Sequence, residues 1–265
     1  FKTTKSSNKL IEEFMLLANK KVAEKMRKSK ERFVYRVHDQ PDQEKLKNLQ
    51  TVVKRLGYNL KLSSNELNDS LNSLLKNAFG KNEQNLIDTL MIRSMSKAEY
   101  TTKNIGHYGL SFENYTHFTS PIRRYPDVMV HRLIQAEIEG EKIKTDETEA
   151  LCKHSTHMEI LATKAERDSV KLMQIKFMKD KEGNTFDAVI SGVVARGVFV
   201  EVVENKCEGL VKAKDLPGDF YVHDEKNHRF VGEKSGKKYQ LGDKTRVMLI
   251  KADQIKKRLD FQVLT

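Results

Sequence analysis

The chain has 265 residues, with 48 Lys and Arg against 37 Asp and Glu, a net charge of +11 and a pI near 9.4. That excess favours polyanionic partners, although lysine-rich solvated helices raise the charge too, so charge suggests a partner without identifying one. The two cysteines, Cys152 and Cys207, lie far apart. They exclude a disulfide framework and fit a reducing cytoplasm. No apolar run approaches the ~20 residues a membrane helix needs, so no membrane partner is expected, and the length permits a sizeable core plus one small domain.

From the start of the chain, Ile11, Phe14, Met15, Ala18 and Val22 recur at helical spacing over residues 8 to 28, a face fit for burial. Glu12 and Asn19 lie seven apart on a stripe with Leu16 and Ala23, beside that face. From this seam a carboxylate can accept a hydrogen bond from a ribose 2'-hydroxyl, though a plain helix-surface Glu reads equally well. Residues 44 to 56 and 65 to 78 follow as two amphipathic helices, separated by a turn at Gly57-Tyr58-Asn59 and a polar start at Ser63-Ser64-Asn65. A third helix is expected over about 82 to 97.

The segment from Gly106 to Pro126 is rich in glycine, hydroxyls and aromatics, the composition of an active-site loop hung on rigid helices. Its centre, Thr116-His117-Phe118-Thr119-Ser120-Pro121-Ile122-Arg123-Arg124-Tyr125-Pro126, suits a phosphodiester. Arginine offers a planar fork matched to phosphate oxygens, Thr119 and Ser120 add neutral donors, and the prolines fix the backbone. Arg123 is expected to stabilise charge developing on phosphorus, and Arg124 to be a structural ion-pair partner. Tyr125 and His107 suit nucleotide stacking and buried aromatic scaffolding equally. Pro126, Asp127 and Gly140 then punctuate a helix of about four turns.

A long helix is expected from about 145 to 179, with Leu151, Met158, Leu161, Ala162, Ala165, Leu172 and Met173 on its buried face. Cys152, His154 and His157 could be drawn as metal ligands, but such spacing is common on basic helices, and no metal site is assigned to them. Near residues 179 to 184 the periodicity turns from helical to alternating, which sets a boundary: residues 1–180, then 181–265. Strands are expected at 185–191, 197–203, 209–212 and 244–253, with a lysine-rich loop from Gly232 to Gly242.

His107-Tyr108-Gly109-Leu110, the run YTHFTSPIRRYPD, His131-Arg132-Leu133, the early IEEFMLLAN and the later Ala165-Glu166-Arg167-Asp168 together resemble the catalytic domain of the ribonuclease II/ribonuclease R family. Gly192-Val193, Gly197-Val198-Phe199-Val200 and Glu208-Gly209-Leu210-Val211 resemble an S1-type OB-fold, a small barrel that binds single strands. The resemblance implies an α+β protein: the mostly helical C-terminal part of a catalytic domain, then a small β-barrel. It implies processive 3'-to-5' hydrolysis of single-stranded RNA to nucleoside 5'-monophosphates by two metal ions. Arg123, not Arg124, matches the family's catalytic arginine. Glu166 lies in the segment that in the family approaches the RNA 3' end or that arginine, although a helix-surface Glu–Arg pair fits the sequence as well.

Glu12 becomes the sugar-reading candidate with Asn19 beside it, and Phe199, Lys212, Lys257 and Arg258 are the RNA contacts expected on the barrel. Lys212 stands where the family often has histidine, which puts base stacking there in doubt. The family's magnesium-binding aspartates lie upstream of these motifs and have no counterpart in the chain. The chain is therefore expected to be the C-terminal part of a larger, monomeric cytoplasmic enzyme, paired with its missing N-terminal portion. A noncatalytic RNA-binding relative is the alternative.

Overall fold

The computed structural model describes residues 4–29, 31–63, 66–81, 83–141 and 146–264, so Ser64, Asn65 and positions 82 and 145 of the expected elements lie outside the described residues. By compactness the chain divides into residues 1–42 with 95–164 and residues 43–94 with 165–265.

In the first unit, α1 (Ser6–Ser29) precedes a two-stranded antiparallel ribbon, β1 (Tyr35–His38) and β2 (Ala98–Thr101), in which Tyr35 faces Thr101. Neither strand was expected; four residues are too few to display an alternation. Helix α5 (Tyr125–Glu139) opens with proline in its first turn and closes on Gly140, whose φ of 70° is the left-handed conformation that glycine adopts freely. Phe33, Val34, Val37, Tyr100 and Val130 form the core with Ala23 and Met26 of α1.

Helix α1 corrects the first expectation. Ile11 and Phe14 are each 59% exposed, whereas the residues that α1 buries are Asn19, Ala23 and Met26. Their spacing of four and then three places them on one stripe. A count of apolar residues misses this face because its lead residue is an amide, tolerated in the interior once hydrogen-bonded.

In the second unit, α2 (Gln43–Arg55), α3 (Leu67–Ala78) and α4 (Gln84–Ser94) bury Leu49, Val53, Leu71, Leu74 and Ile87. Five strands close a barrel: β3 (Thr185–Val194), β4 (Gly197–Val202), β5 (Glu208–Lys212), β9 (Lys244–Asp253) and β10 (Arg258–Val263), in the order β10-β5-β4-β3-β9. Val198, Val200, Val211, Leu249 and Leu259 fill it, with Phe186 packed against them. Gly197 is obligatory, since a Cβ there would stand 2.1 Å from the Val211 carbonyl oxygen.

The lysine-rich stretch from 232 to 242 is not a plain loop. β6 (Tyr221–Asp224), β7 (Arg229–Gly232) and β8 (Lys238–Gln240) form a separate three-stranded sheet, which Tyr239 anchors in the core. Its lysines disguise a strand in which only one residue in three is buried.

The long helix α6 (Thr148–Lys179) forms as expected, yet its buried face does not run its length. Cys152 is buried near one end, and Ile175 and Met178 near the other. Residues 157–170 are all exposed, including Met158, Leu161, Ala162 and Ala165. Among the described residues, no helix is long and apolar enough to cross a membrane.

Candidate catalytic loop and nucleic-acid interface

The loop between β2 and α5 is fixed from beneath by buried polar side chains. Thr116 is fully buried and donates its hydroxyl to the Val34 carbonyl at 2.7 Å. Asn19, 3% exposed, accepts on Oδ1 from the successive amides of Phe118 (2.9 Å) and Thr119 (3.2 Å), and its Nδ2 donates to the Tyr115 hydroxyl at 3.1 Å. Asp127, with no exposed surface, accepts from the Ser120 amide at 2.7 Å and from the Arg124 guanidinium at 2.8 Å. The Ser120 carbonyl then accepts from the amides of Arg123 (3.3 Å) and Arg124 (3.1 Å), closing the turn that enters α5.

The two arginines therefore differ. Arg124 is engaged by Asp127, the structural ion pair expected of it. Arg123 is exposed and, among the described residues, takes part in no ion pair, so its fork of donors is available to an anion. Ile122 beside it is 98% exposed and Tyr125 48%, which leaves an apolar side chain and a ring standing in solvent at the turn. The Thr119 hydroxyl is buried and has no hydrogen-bond partner among the described residues, and Ser120 is largely buried.

Histidines line the underside in neutral form. His117 is held at about 3 by burial, reinforced by the charges of Arg124 and Arg36, while burial pushes Tyr100 up to about 12. The Tyr100 hydroxyl thus keeps its proton and shares a hydrogen bond of 2.8 Å with His117 Nδ1. Arg36 lies 4.5 Å over the Tyr100 ring and forms a bidentate pair with Glu159 at 2.7 and 3.1 Å. His107, lowered to about 4 by burial and then by His38, accepts from the Leu110 amide and stacks on the His38 ring at 5.2 Å.

This geometry revises several expectations. Asn19, expected to face RNA, has its amide buried and engaged by the loop instead. His107 is packed into an aromatic cluster, the scaffold alternative. Glu12 is exposed on α1 and Glu166 on α6, Glu166 in the second compact unit and Arg123 in the first. Sequence reasoning missed Tyr100, Tyr115 and the loop-holding task of Asp127. Only the last left a trace, a carboxylate in the first turn of a proline-opened helix. Cys152, drawn and set aside as a ligand, is a core thiol that burial pushes up to about 12. Among the described residues, no group of three or more His, Cys, Asp and Glu is placed to hold a metal ion.

The barrel offers a second surface. Phe199 faces Leu210 and Gly197 faces Lys212 across β4 and β5, which puts Phe199 and Lys212 on one outer face. Arg196 adds a guanidinium 5.6 Å from the Phe199 ring centroid. Nearby, Leu210, Lys212, Lys214, Lys251, Arg258 and Gln262 line a groove of about 690 Å³. Arg258 is partly engaged by Asp260 at 3.2 Å, whereas Lys257 is exposed in the turn before β10.

Residues 2–140 match the RNB domain model, and residues 179–264 match the S1 RNA binding domain model. The chain is 39% identical over 262 residues to Ribonuclease R of Aquifex aeolicus, covering 97% of this chain and 37% of that protein. It is 35% identical over 272 residues to Ribonuclease R of Escherichia coli, covering 98% of this chain and 34% of that protein. The chain therefore spans about a third of the length of these curated relatives. A solved structure of Mycoplasma genitalium RNase R in complex with ribose methylated single-stranded RNA superposes with a TM-score of 0.92 at 27% identity, covering all of this chain and 42% of that one.

Proposed function

We propose, since this chain belongs to the RNB domain family and carries an S1 RNA binding domain, that it is part of a cytoplasmic 3'-to-5' exoribonuclease acting processively on single-stranded RNA. The observation that carries this reading is Arg123: exposed, unpaired among the described residues, and mounted on a turn whose backbone is held by Asn19 and Asp127. A guanidinium on a backbone held in this way is suited to charge that grows on a phosphoryl group as water attacks, because the turn that carries it need not reorganise during the reaction. Ser120 and Thr119 are the candidate neutral donors to the same phosphate, Tyr125 can carry a base, and Glu12 and Glu166 serve the sugar and the 3' end.

Phe199, Lys212, Lys257 and Arg258 of the barrel hold the incoming strand by stacking and charge. Magnesium, which would supply the attacking hydroxide, belongs to aspartates outside the present residues, and no step is derived through it. The whole protein acts as a monomer in which this chain pairs with the portion bearing those acids, and the boundary between catalytic part and barrel falls near residue 180.

The test is to incubate the full-length protein and magnesium with single-stranded RNA labelled at its 5' end. A product ladder shortening from the 3' end, with release of nucleoside 5'-monophosphates, is expected. RNA that is bound but left intact would make the protein a noncatalytic RNA-binding relative.

A further inference from the structure

We infer that Asn19 is a positioning residue for the reaction at Arg123, setting the angle at which that guanidinium meets the phosphodiester. The inference rests on the reading of Arg123 as the residue that stabilises the reacting phosphate.

Asn19 occupies a helix interior, where an amide is a poorer helix former than alanine or leucine and where burial of a polar group costs free energy unless it is paired. Packing alone would favour an apolar residue at a site 3% exposed. What distinguishes asparagine is that it accepts and donates at once: Oδ1 takes the Phe118 and Thr119 amides, and Nδ2 reaches the Tyr115 hydroxyl. Two consecutive amides converging on one oxygen fix the peptide planes between them. Ser120 comes next in the chain, and its carbonyl accepts the Arg123 amide.

The Arg123 side chain is exposed and, among the described residues, unpaired, so the turn's backbone is what aims it. Asp127 secures the turn from the other side through the Ser120 amide. Asn19 and Asp127 thus clamp successive peptide units that end at Ser120, three residues before the arginine. Releasing one clamp lets the turn shift while the guanidinium keeps its charge. Attraction for RNA survives such a shift, and alignment with the transition state does not.

The experiment measures kcat, KM and RNA affinity of the full-length protein for Asn19→Ala, Arg123→Ala and the double variant. Expected for Asn19→Ala is a fall in kcat of about 100-fold, the cost of misplacing a reacting group by about 1 Å, with KM and affinity near their original values. Added to Arg123→Ala, it should cause little further loss, since it acts through that residue. Fully multiplicative losses, or a raised KM at unchanged kcat, overturn the inference.

Should Asn19→Ala not fold, Asn19→Asp decides. Its carboxylate still accepts the two amides, and the Tyr115 hydroxyl can turn to donate to it, so kcat should stay close to the parent's with KM unchanged. A loss of kcat as large as that of Arg123→Ala, or a raised KM at unchanged kcat, overturns the inference. An unsubstituted protein that does not hydrolyse RNA overturns the underlying reading and this inference with it; an active one indifferent to Asn19→Ala overturns the inference alone.

Discussion

The loop carrying Arg123 and the outer face of the barrel are both basic, yet they are built on opposite plans. Beneath the loop lie buried, uncharged or internally compensated groups: Asn19, Thr116, His117 and the Asp127–Arg124 pair. At the turn they leave Arg123 facing solvent, on a backbone held at residues 118 to 120. The barrel face has no comparable underlay. Its cations sit on flexible stems around an open groove, and some are partly compensated, as Arg258 is by Asp260 and Lys251 by Asp253 at 3.5 Å. Fixed dipoles are worth most where charge appears briefly and must be met without reorganisation. Adjustable charges suit a strand that slides past in many registers.

The sharpest way to break the comparison is to remove each arginine of the loop in turn. Arg123→Ala should lower kcat by about 10²–10³-fold, the cost of losing one prearranged donor to transition-state charge, with RNA affinity little changed. Comparable losses in turnover and affinity would reduce the loop to another binding surface like the barrel's. Arg124→Ala should act on folding instead, because it strands the fully buried Asp127 carboxylate, at a cost of about 3 kcal/mol in denaturant unfolding. If Arg124→Ala is stable but inactive, the two roles are exchanged.

Acid should separate the regions next. His117 and His107 are held at about 3 and about 4 in the folded protein, both below the ordinary histidine value near 6.5. The unfolded chain therefore binds more protons at these sites between those limits. Stability is complete above about pH 6.5 and declines as pH falls toward 4 and then 3, by on the order of several kcal/mol for the pair. Unfolding midpoints measured across this range should fall most steeply for the unsubstituted protein, and His117→Phe should flatten the slope. An unchanged slope would mean the underside of the loop is not neutral by design. Between β6 and β7 of the three-stranded sheet in the second unit, burial lowers His228 as well, so His117→Phe is what isolates the loop's share of the acid response.

How much of this was legible in the sequence differs between the two regions for a physical reason. Barrel strands alternate, and Phe199 and Lys212, expected from the resemblance to an S1-type fold, stand on the face opposite Val198 and Val200 as a period of two requires. The helices followed equally from period, and the Pro126 to Gly140 helix from its end residues. The loop could be identified as a site from its arginines, hydroxyls and prolines, but its mechanics could not. Asn19 lies about a hundred residues from the amides it holds, and Tyr100 seventeen from His117. Such partnerships depend on tertiary packing, which carries no local period. The apolar residues of α1 misled for the complementary reason: periodicity shows that a helix has a face, not that something in this unit covers it.

The smallest effect expected belongs to the barrel, and it is the one that most sharpens the contrast. Lys212→Ala and Lys257→Ala each remove one exposed or half-exposed charge that no carboxylate in the described residues engages. If each lysine meets one phosphate of a single strand, each substitution should reduce the slope of log affinity against log salt by about 0.7 and leave kcat unchanged. Equilibrium titrations at several salt concentrations measure this directly. An effect on kcat at saturating RNA would show that the barrel helps align the scissile bond, and the division between a loop that aligns and a barrel that holds would fail. A salt slope unchanged by Lys257→Ala but reduced by Lys212→Ala would confine the strand to the groove, since Lys212 lines it and Lys257 stands in the turn outside.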